Sequence, residues 1–299
     1  MDKYSKKKIL IVINTSAGSG DDSGVLQELE EHLTKEKCTC RFIEIGGGKE
    51  PVDLDKEIRH FQPEIIVAAG GDGTVNLVAS HIIEKKIKLG IIPLGSANGM
   101  AYQLGIPRQV SEALELILSS DSIKVDMLRI NKKYYSIHMS DLGMNARVVK
   151  RYDEDKIRGL WGYARQYFRE LFYAKKFHCK LSTGGHTVRS KVLMMVIANA
   201  SHYGTGAAIN PEGDIGDGLM EIILVKAYPA LFLIYMIASF FGLKKYDPEQ
   251  IEIISCKKAV ISVSPPQHIQ IDGEPLGSKD KVEVKIIPGA INVITPGTN

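Results

Sequence analysis

The chain of 299 residues carries only four cysteines, Cys38, Cys40, Cys179 and Cys256, and none of them forms a C-x-x-C pair or stands at zinc-finger spacing from histidine. That argues against a disulfide framework or a structural zinc, and for reduced thiols in a cytoplasmic setting. The apolar run at 9–13 behind Lys6-Lys7-Lys8 is too short for a secretory signal and no small-residue cleavage site follows, so export is not expected. A membrane-spanning helix needs about 20 apolar residues; the longest candidate, 228–243, falls short and reads as a buried or interfacial helix. Neither G-x-x-x-x-G-K-[ST] nor G-x-G-x-x-G occurs, which excludes a Walker loop and a Rossmann fingerprint. Repeats and low-complexity tracts are missing too. A formal charge of +3 leaves little reason for wholesale nucleic-acid binding.

What is present is an ordinary globular composition, 44% apolar and 24% charged, in a chain long enough for two domains. Short Ile- and Val-rich runs at 9–13, 64–68 and 89–92 alternate with helical spacing at 21–36 and 74–86. This predicts strand–helix units on a buried parallel sheet. After about residue 125 the character changes to strand-like runs at 123–130, 134–140, 191–198, 219–225, 251–255, 259–263, 268–272 and 281–287, which predict an antiparallel sheet or sandwich. Two stretches interrupt it with helical spacing, the basic aromatic segment 156–176 and the apolar segment 228–243.

Glycine-rich stretches follow the first three strands, where open α/β sheets bind ligands. The most informative is Gly70-Gly71-Asp72-Gly73-Thr74, ahead of a helical pattern beginning at Val75. Glycines let backbone approach phosphate, and the first amides of a helix are donors without helical partners. A carboxylate beside phosphates is repulsive unless it binds a cation or takes a proton, so Asp72 points to chemistry. The plainer alternative is a tight turn with Asp72 as a helix cap.

With Asn14-Thr15-Ser16-Ala17-Gly18 before it and Pro93-Leu94-Gly95-Ser96-Ala97-Asn98 after it, this motif resembles the diacylglycerol kinase and sphingosine kinase catalytic family. Asp214-Ile215-Gly216-Asp217-Gly218-Leu219 and Ile271-Asp272-Gly273-Glu274-Pro275 complete the family's order, so the resemblance covers essentially the whole chain. The glycine motif alone is shared with NAD kinases and related to phosphofructokinases; the five stretches in order are far more specific. The resemblance implies an α/β nucleotide-binding domain with a parallel sheet at 1–125, rejoined by about 289–299. It also implies a β-rich antiparallel sandwich at 126–288 that holds a lipid, with catalysis in an interdomain cleft.

By the same resemblance ATP would lie against Asn14, Thr15, Ser16, Ala17 and Gly18, against Gly71, Asp72, Gly73, Thr74, Val75 and Asn76, and against Ser96 and Asn98. Thr74 would donate its hydroxyl to a phosphate. Read singly, each is equally a turn residue. Two carboxylates, Asp72 and Glu274, are candidates for the base that takes the proton of a lipid hydroxyl; as a plain sequence, 272–275 is a solvated hairpin tip. By the resemblance, Asp126 joins Asp72 in an acidic network that reaches the Mg²⁺ of the transfer partly through water, and a separate structural Mg²⁺ is implied at Asp214, Asp217 and the Leu219 carbonyl; the bland alternative for that loop is an Asp- and Gly-rich turn that binds nothing. Two departures stand out. Thr15 replaces the family's usual Pro, and Gly99 follows Asn98 where bacterial diacylglycerol kinases usually carry Asp.

Between Arg147 and Lys191 basic residues outnumber acids, interleaved with Trp161, Tyr163, Tyr167, Phe168, Phe172 and Tyr173. A solvated amphipathic helix is the simplest reading, and peripheral contact with an anionic membrane is what a lipid kinase needs. The expected partners are therefore a lipid substrate and a membrane surface, not nucleic acid, and a homodimer is compatible with the sequence. Two alternatives stand beside the lipid kinase: an NAD-kinase-like kinase of a soluble substrate, and a catalytically silent nucleotide or lipid sensor.

Overall fold

The structure is a computed structural model. It describes residues 7–14, 22–36, 38–46, 48, 52–154, 165–166, 170, 173–201, 210, 213–228, 230–231, 234–235, 238, 247 and 249–297. Two compact units are present, one made of Met1–Val125 with Gly289–Asn299, the other of Asp126–Pro288.

The first unit is α/β. Strand β1 (Lys8–Asn14) pairs in parallel with β2 (Thr39–Ile45) and with β3 (Ile65–Gly70), and β3 pairs in parallel with β4 (Lys88–Pro93). The helices are α1 (Asp22–Lys35), α2 (Leu54–Phe61), α3 (Asp72–His81), α4 (Gly99–Gln103) and α5 (Val110–Ser119). Ile9 to Ile13 and Ile65 to Ala69 are fully or almost fully buried. That is why these strands read as unbroken apolar runs: helices cover both faces of a parallel sheet. The end of the last strand, β14 (Glu274–Ile294), closes this sheet, with Asn292 and Val293 parallel to Lys88 and Leu89 of β4.

The second unit is an antiparallel β structure. Its strands are β5 (Ser122–Ile130), which enters from the first unit, β6 (Tyr134–Ser136), β7 (Met139–Gly143), β8 (Phe177–Thr183), β9 (His186–Val192), β10 (Met194–Ala198), β11 (Met220–Val225), β12 (Ile251–Cys256), β13 (Lys258–Ile271) and β14. One helix, α6 (Met144–Glu154), follows β7. The order β12-β11-β10-β7-β13-β14 is antiparallel throughout; β7 pairs with the end of β13, at Ile269–Ile271, and β8, itself paired with β9, with its beginning, at Ala259–Ser264. Phe177, Leu181, Met195, Ile222, Ile261 and Ile271 belong to the buried core of this unit.

Several boundaries differ from the sequence reading. Helix α3 begins at Asp72 rather than after Thr74, because Gly71 is its N-cap and the Val75 amide already reaches the Gly71 carbonyl at 3.1 Å. The run 134–140 is two strands interrupted at Ile137 and His138, and the run 191–198 is divided at Leu193. The runs 259–263 and 268–272 are one strand, β13, whose register shifts between Ser262 and Gln267 around Pro265 and Pro266. Prolines cannot donate to a ladder and are accommodated at such irregularities. Strands β2 and β8 were not anticipated.

Candidate functional site

Two loops of the first unit meet at the ends of their strands, and the last residue of β1, Asn14, lies beside them. The Leu94 amide donates to the Gly70 carbonyl at 3.0 Å, joining the loop after β4 to the loop after β3. A methyl group on Gly95 would come within 2.5 Å of the Gly71 Cα, so the two loops touch through bare backbone and no larger residue fits. Asn98 closes the second loop on itself: its Oδ1 accepts the Gly95 amide at 2.8 Å and its Nδ2 donates to the Gly95 carbonyl at 2.6 Å. Asn98 sits in left-handed backbone, φ 55 and ψ 47, which Asn tolerates better than most residues.

The first amides of α3, on Asp72, Gly73 and Thr74, precede the first intrahelical bond at Val75 and so carry the helix's positive end. That is a place for an anion. Asn14, at the end of β1, donates its Nδ2 to the Thr74 hydroxyl at 3.3 Å. Thr74 is buried, Ser96 is exposed, and Gly71, Gly73 and Asn76 are half-buried. Val75 is buried in the core. Thr15, Ser16, Ala17 and Gly18, expected to complete this site, lie outside the described residues.

Asp72 does not cap its own helix. Its Oδ2 accepts the Gly99 amide and its Oδ1 the Met100 amide, each at 2.9 Å. One carboxylate thus clasps the N-terminus of α4, satisfying two of the orphan donors there.

In the second unit, Asp272 and Gly273 form a two-residue turn with φ of 45° and 88°, the mirror-image turn that suits a twisted hairpin. Glu274 follows it, exposed and paired with Ile271. The turn is anchored by Asp272: its Oδ1 accepts from the Ser136 hydroxyl at 2.9 Å and from the Met139 amide at 2.9 Å, and its Oδ2 accepts the Ile137 amide at 3.0 Å. The break between β6 and β7 is where these donors converge. Nothing in the sequence marked Asp272 for this, beyond the Asp-Gly turn pair itself.

Beneath the hairpin lies a second polar chain that sequence reading also missed. The Gly273 amide donates to Gln270 Oε1 at 2.6 Å, and Gln270 Nε2 donates to Asp141 Oδ2 at 2.6 Å. Asn145 Nδ2 reaches the same oxygen at 2.5 Å. Asp141 is fully buried, and burial pushes its carboxyl up to about 6, with the Asn145, Gln270 and Ala146 donors pulling the other way. Its Oδ1 accepts no hydrogen bond of good geometry.

The loop 214–219 is built from two short turns in which Asp214 Oδ1 accepts the Gly216 amide and Asp217 Oδ1 accepts the Leu219 amide, at 2.9 and 2.8 Å. Asp126, fully buried, holds this loop: its Oδ2 accepts the Gly218 amide at 2.6 Å and its own amide donates to the Ile215 carbonyl at 2.8 Å. Buried Asn199 in turn donates to the carbonyls of Asp126 and Ile137, at 2.8 and 2.9 Å. Among the described residues no group of three His, Cys, Asp or Glu side chains gathers as a metal site.

Of the basic aromatic segment, Trp161, Tyr163, Tyr167, Phe168 and Phe172 lie outside the described residues. Glu170 is buried and receives Arg147 Nε at 2.9 Å, and Arg151 also pairs with it. Tyr173, Tyr228 and Ile234 are 68%, 69% and 60% exposed, and the Lys176 ammonium lies 4.2 Å from the Tyr228 ring centroid. Among the described residues no helix is long and apolar enough to cross a membrane.

Comparison with known proteins agrees with this architecture. Residues 8–130 match the diacylglycerol kinase catalytic domain, and residues 139–295 match the YegS C-terminal NAD kinase beta sandwich-like domain. A Yersinia enterocolitica protein described as "Probable lipid kinase YegS-like" is 31% identical, covering 96% of either chain. "Lipid kinase YegS" of Escherichia coli K12 is 27% identical over 96% of this chain and 95% of its own. A solved diacylglycerol kinase from Bacillus anthracis str. Sterne shares the fold, with a TM-score of 0.75 at 21% identity over 98% of each chain. The chain therefore belongs to the diacylglycerol kinase catalytic family in its YegS-like form, and is an ATP-dependent kinase that phosphorylates an alcohol.

Proposed function

We propose that this kinase transfers the γ-phosphate of ATP to the hydroxyl of a membrane lipid, such as diacylglycerol, a sphingoid base or a related alcohol. The observation that carries the reading is the opening of α3 between two loops pressed together through Gly71 and Gly95. The amides of Asp72, Gly73 and Thr74 take the phosphates, while Asn14, Asn76, Ser96 and Asn98, together with 15–18, complete the nucleotide site; Val75, its side chain in the core and its amide on the Gly71 carbonyl, is not part of it.

In the transfer, the lipid oxygen forms a bond to the γ-phosphorus, the bond from that phosphorus to the β–γ bridging oxygen breaks, and ADP leaves. The hydroxyl proton passes to a carboxylate, and Glu274 suits that role better than Asp72. Glu274 is exposed at a hairpin tip held by Asp272, whereas both oxygens of Asp72 are engaged with the amides of Gly99 and Met100. Asp72 thus serves as a positioning residue for α4.

The chemistry a bound Mg²⁺ supplies in such a transfer is neutralisation of the charge shared between β- and γ-oxygens. A separate, structural Mg²⁺ would be held by Asp214, Asp217 and the Leu219 carbonyl, which suit a hard cation: both carboxylates are exposed, all donors are oxygen, and each carboxylate uses only Oδ1 within the loop. Asp126 fits as the group that shapes this loop, since it is buried and engaged with Gly218.

Exposed Tyr173, Tyr228 and Ile234, with Lys176 against Tyr228, support peripheral contact with a membrane from the cytoplasm. The silent-sensor alternative drew on Gly99; the Gly99 amide donates to Asp72, a contact that any non-proline residue at this position would make. A soluble acceptor of the NAD type is the competing substrate. Incubation with ATP, Mg²⁺ and either a lipid extract or NAD, followed by mass detection, separates the readings. New lipid phosphomonoesters are expected; phosphorylated NAD with unchanged lipids would overturn the proposal.

A further inference from the structure

A cavity of about 450 Å³ opens in the second unit, far along the β13–β14 ribbon from Glu274. Lys258 opens β13, and the hairpin turn follows the other end of this 14-residue strand, roughly 40 Å away at strand rise. The cavity is therefore separate from the hairpin, and no residue of the loop 214–219 lines it. Its lining includes four cations, Arg129, Lys132, Lys258 and Lys285, against a single acid, Glu283. That acid is already paired, with the Lys281 ammonium 3.1 Å from its carboxylate, and Lys281 is not part of the lining. Among the described residues none of the four cations has a carboxylate partner.

The arrangement opposes the interest of the fold. Lys258 and Lys285 stand directly opposite one another in the β13–β14 ladder, and like charges in that position destabilise a sheet. Arg129, near the end of β5, and Lys132, in the turn that follows it with φ 61, add two more positive groups to the same cavity. Ser182 and Thr183 pair in register with Val260 and Ala259 at the start of β13 and also line the cavity, while Ala259 and Val284 are buried. Ammonium, guanidinium and hydroxyl groups are donors, and a group with several anionic acceptor oxygens is their complement. A net charge of only +3 for the chain makes four unpaired cations around one cavity a local feature rather than a reflection of overall basicity.

We infer that this cavity is a second ligand site, one that binds a phosphomonoester or inorganic phosphate independently of the nucleotide site. The phosphate can come from a soluble metabolite or from the headgroup of a phosphatidate-type lipid. The two sources present the same dianionic oxygens.

The test uses the full chain and two probes, inorganic phosphate followed by calorimetry, and phosphatidylcholine vesicles with or without phosphatidate followed by sedimentation. The variants are Lys258→Gln/Lys285→Gln and Lys258→Arg/Lys285→Arg, with melting curves as the check on folding; both lysines are exposed, and removing the like-charge pair favours the fold. The glutamine pair should weaken binding by at least ~10-fold, the scale of losing charge-assisted hydrogen bonds, and the arginine pair should retain it. Binding of phosphate alone assigns a soluble ligand, and binding only of phosphatidate vesicles assigns a headgroup; either upholds the site. Binding left unchanged by the glutamine pair, or no binding of either probe by the wild type, overturns it.

Discussion

The carboxylate of Asp72 receives the Met100 backbone amide through Oδ1 at 2.9 Å, while its other oxygen holds the neighbouring Gly99 amide. The acid of the glycine loop is thereby the anchor that fixes α4 against the start of α3. Charge and helix dipole cooperate in this contact, because an anion at a helix N-terminus is favourable.

Asp72→Asn keeps the shape, removes the charge and turns one acceptor into a donor facing an amide. Stability should fall by about 1–2 kcal/mol, the range for a lost cap. On the proposed mechanism, in which the α3 amides hold the phosphates, ATP affinity should stay within a few-fold of wild type and turnover should fall at least ~10²-fold through misplacement of α4. Melting curves, nucleotide titration and a kinase assay on the same preparation check the three together.

Glu274→Gln should behave differently. The side chain is exposed and the hairpin is held by Asp272, so the melting temperature should not move. Loss of general-base help should lower turnover by ~10² or more, read in a kinase assay beside the melting curves. A variant with wild-type turnover would return the base to Asp72.

Gly95→Ala tests the meeting of the two phosphate loops. The new methyl would lie 2.5 Å from the Gly71 Cα, so backbone has to move, and overpacking of this kind costs about 1–3 kcal/mol. ATP affinity should fall by at least ~10-fold. Gly185→Ala, where no atom lies within 4 Å of the added methyl, should bind ATP like the wild type.

Asp141 makes stability depend on pH. Its carboxyl is raised from 3.8 to about 6 by burial, so between those values the folded chain holds a proton that the unfolded chain has released. Its contribution is fully present below about 3.8 and is lost as pH rises through about 6, on the order of 3 kcal/mol in all. Asp141→Asn has nothing to titrate, and its melting temperature should decline less between pH 4 and pH 7 than that of the wild type.

For the loop 214–219, Mg²⁺ should raise the melting temperature of the wild type, and Asp217→Ala should abolish that rise while changing ATP affinity less. Thermal melts with Mg²⁺ and with chelator measure it. Identical wild-type curves in the two conditions would remove the metal from this loop.

The buried parallel strands β1, β3 and β4 were legible because covering both faces of a sheet demands continuous apolar runs. The hairpin before Glu274 was legible because Asp-Gly suits its turn. Strand β2 escaped because its mixed run TCRFIEI is mostly only half-buried, and β8 because its alternation of Phe177, Cys179 and Leu181 is short and follows a segment of helical spacing. The partners of these carboxylates could not be read at all. Asp72 meets Gly99 and Met100 across 27 and 28 positions, Asp272 meets Ser136 across 136, and Asp126 meets Gly218 across 92. Local pattern specifies which residues are apolar, which can turn and which can ionise, since those are properties of one residue and its neighbours. Whether a carboxylate becomes a clasp, a base or a buried acid depends on the donors and the water left around it after the chain has packed, and those come from elsewhere in the sequence.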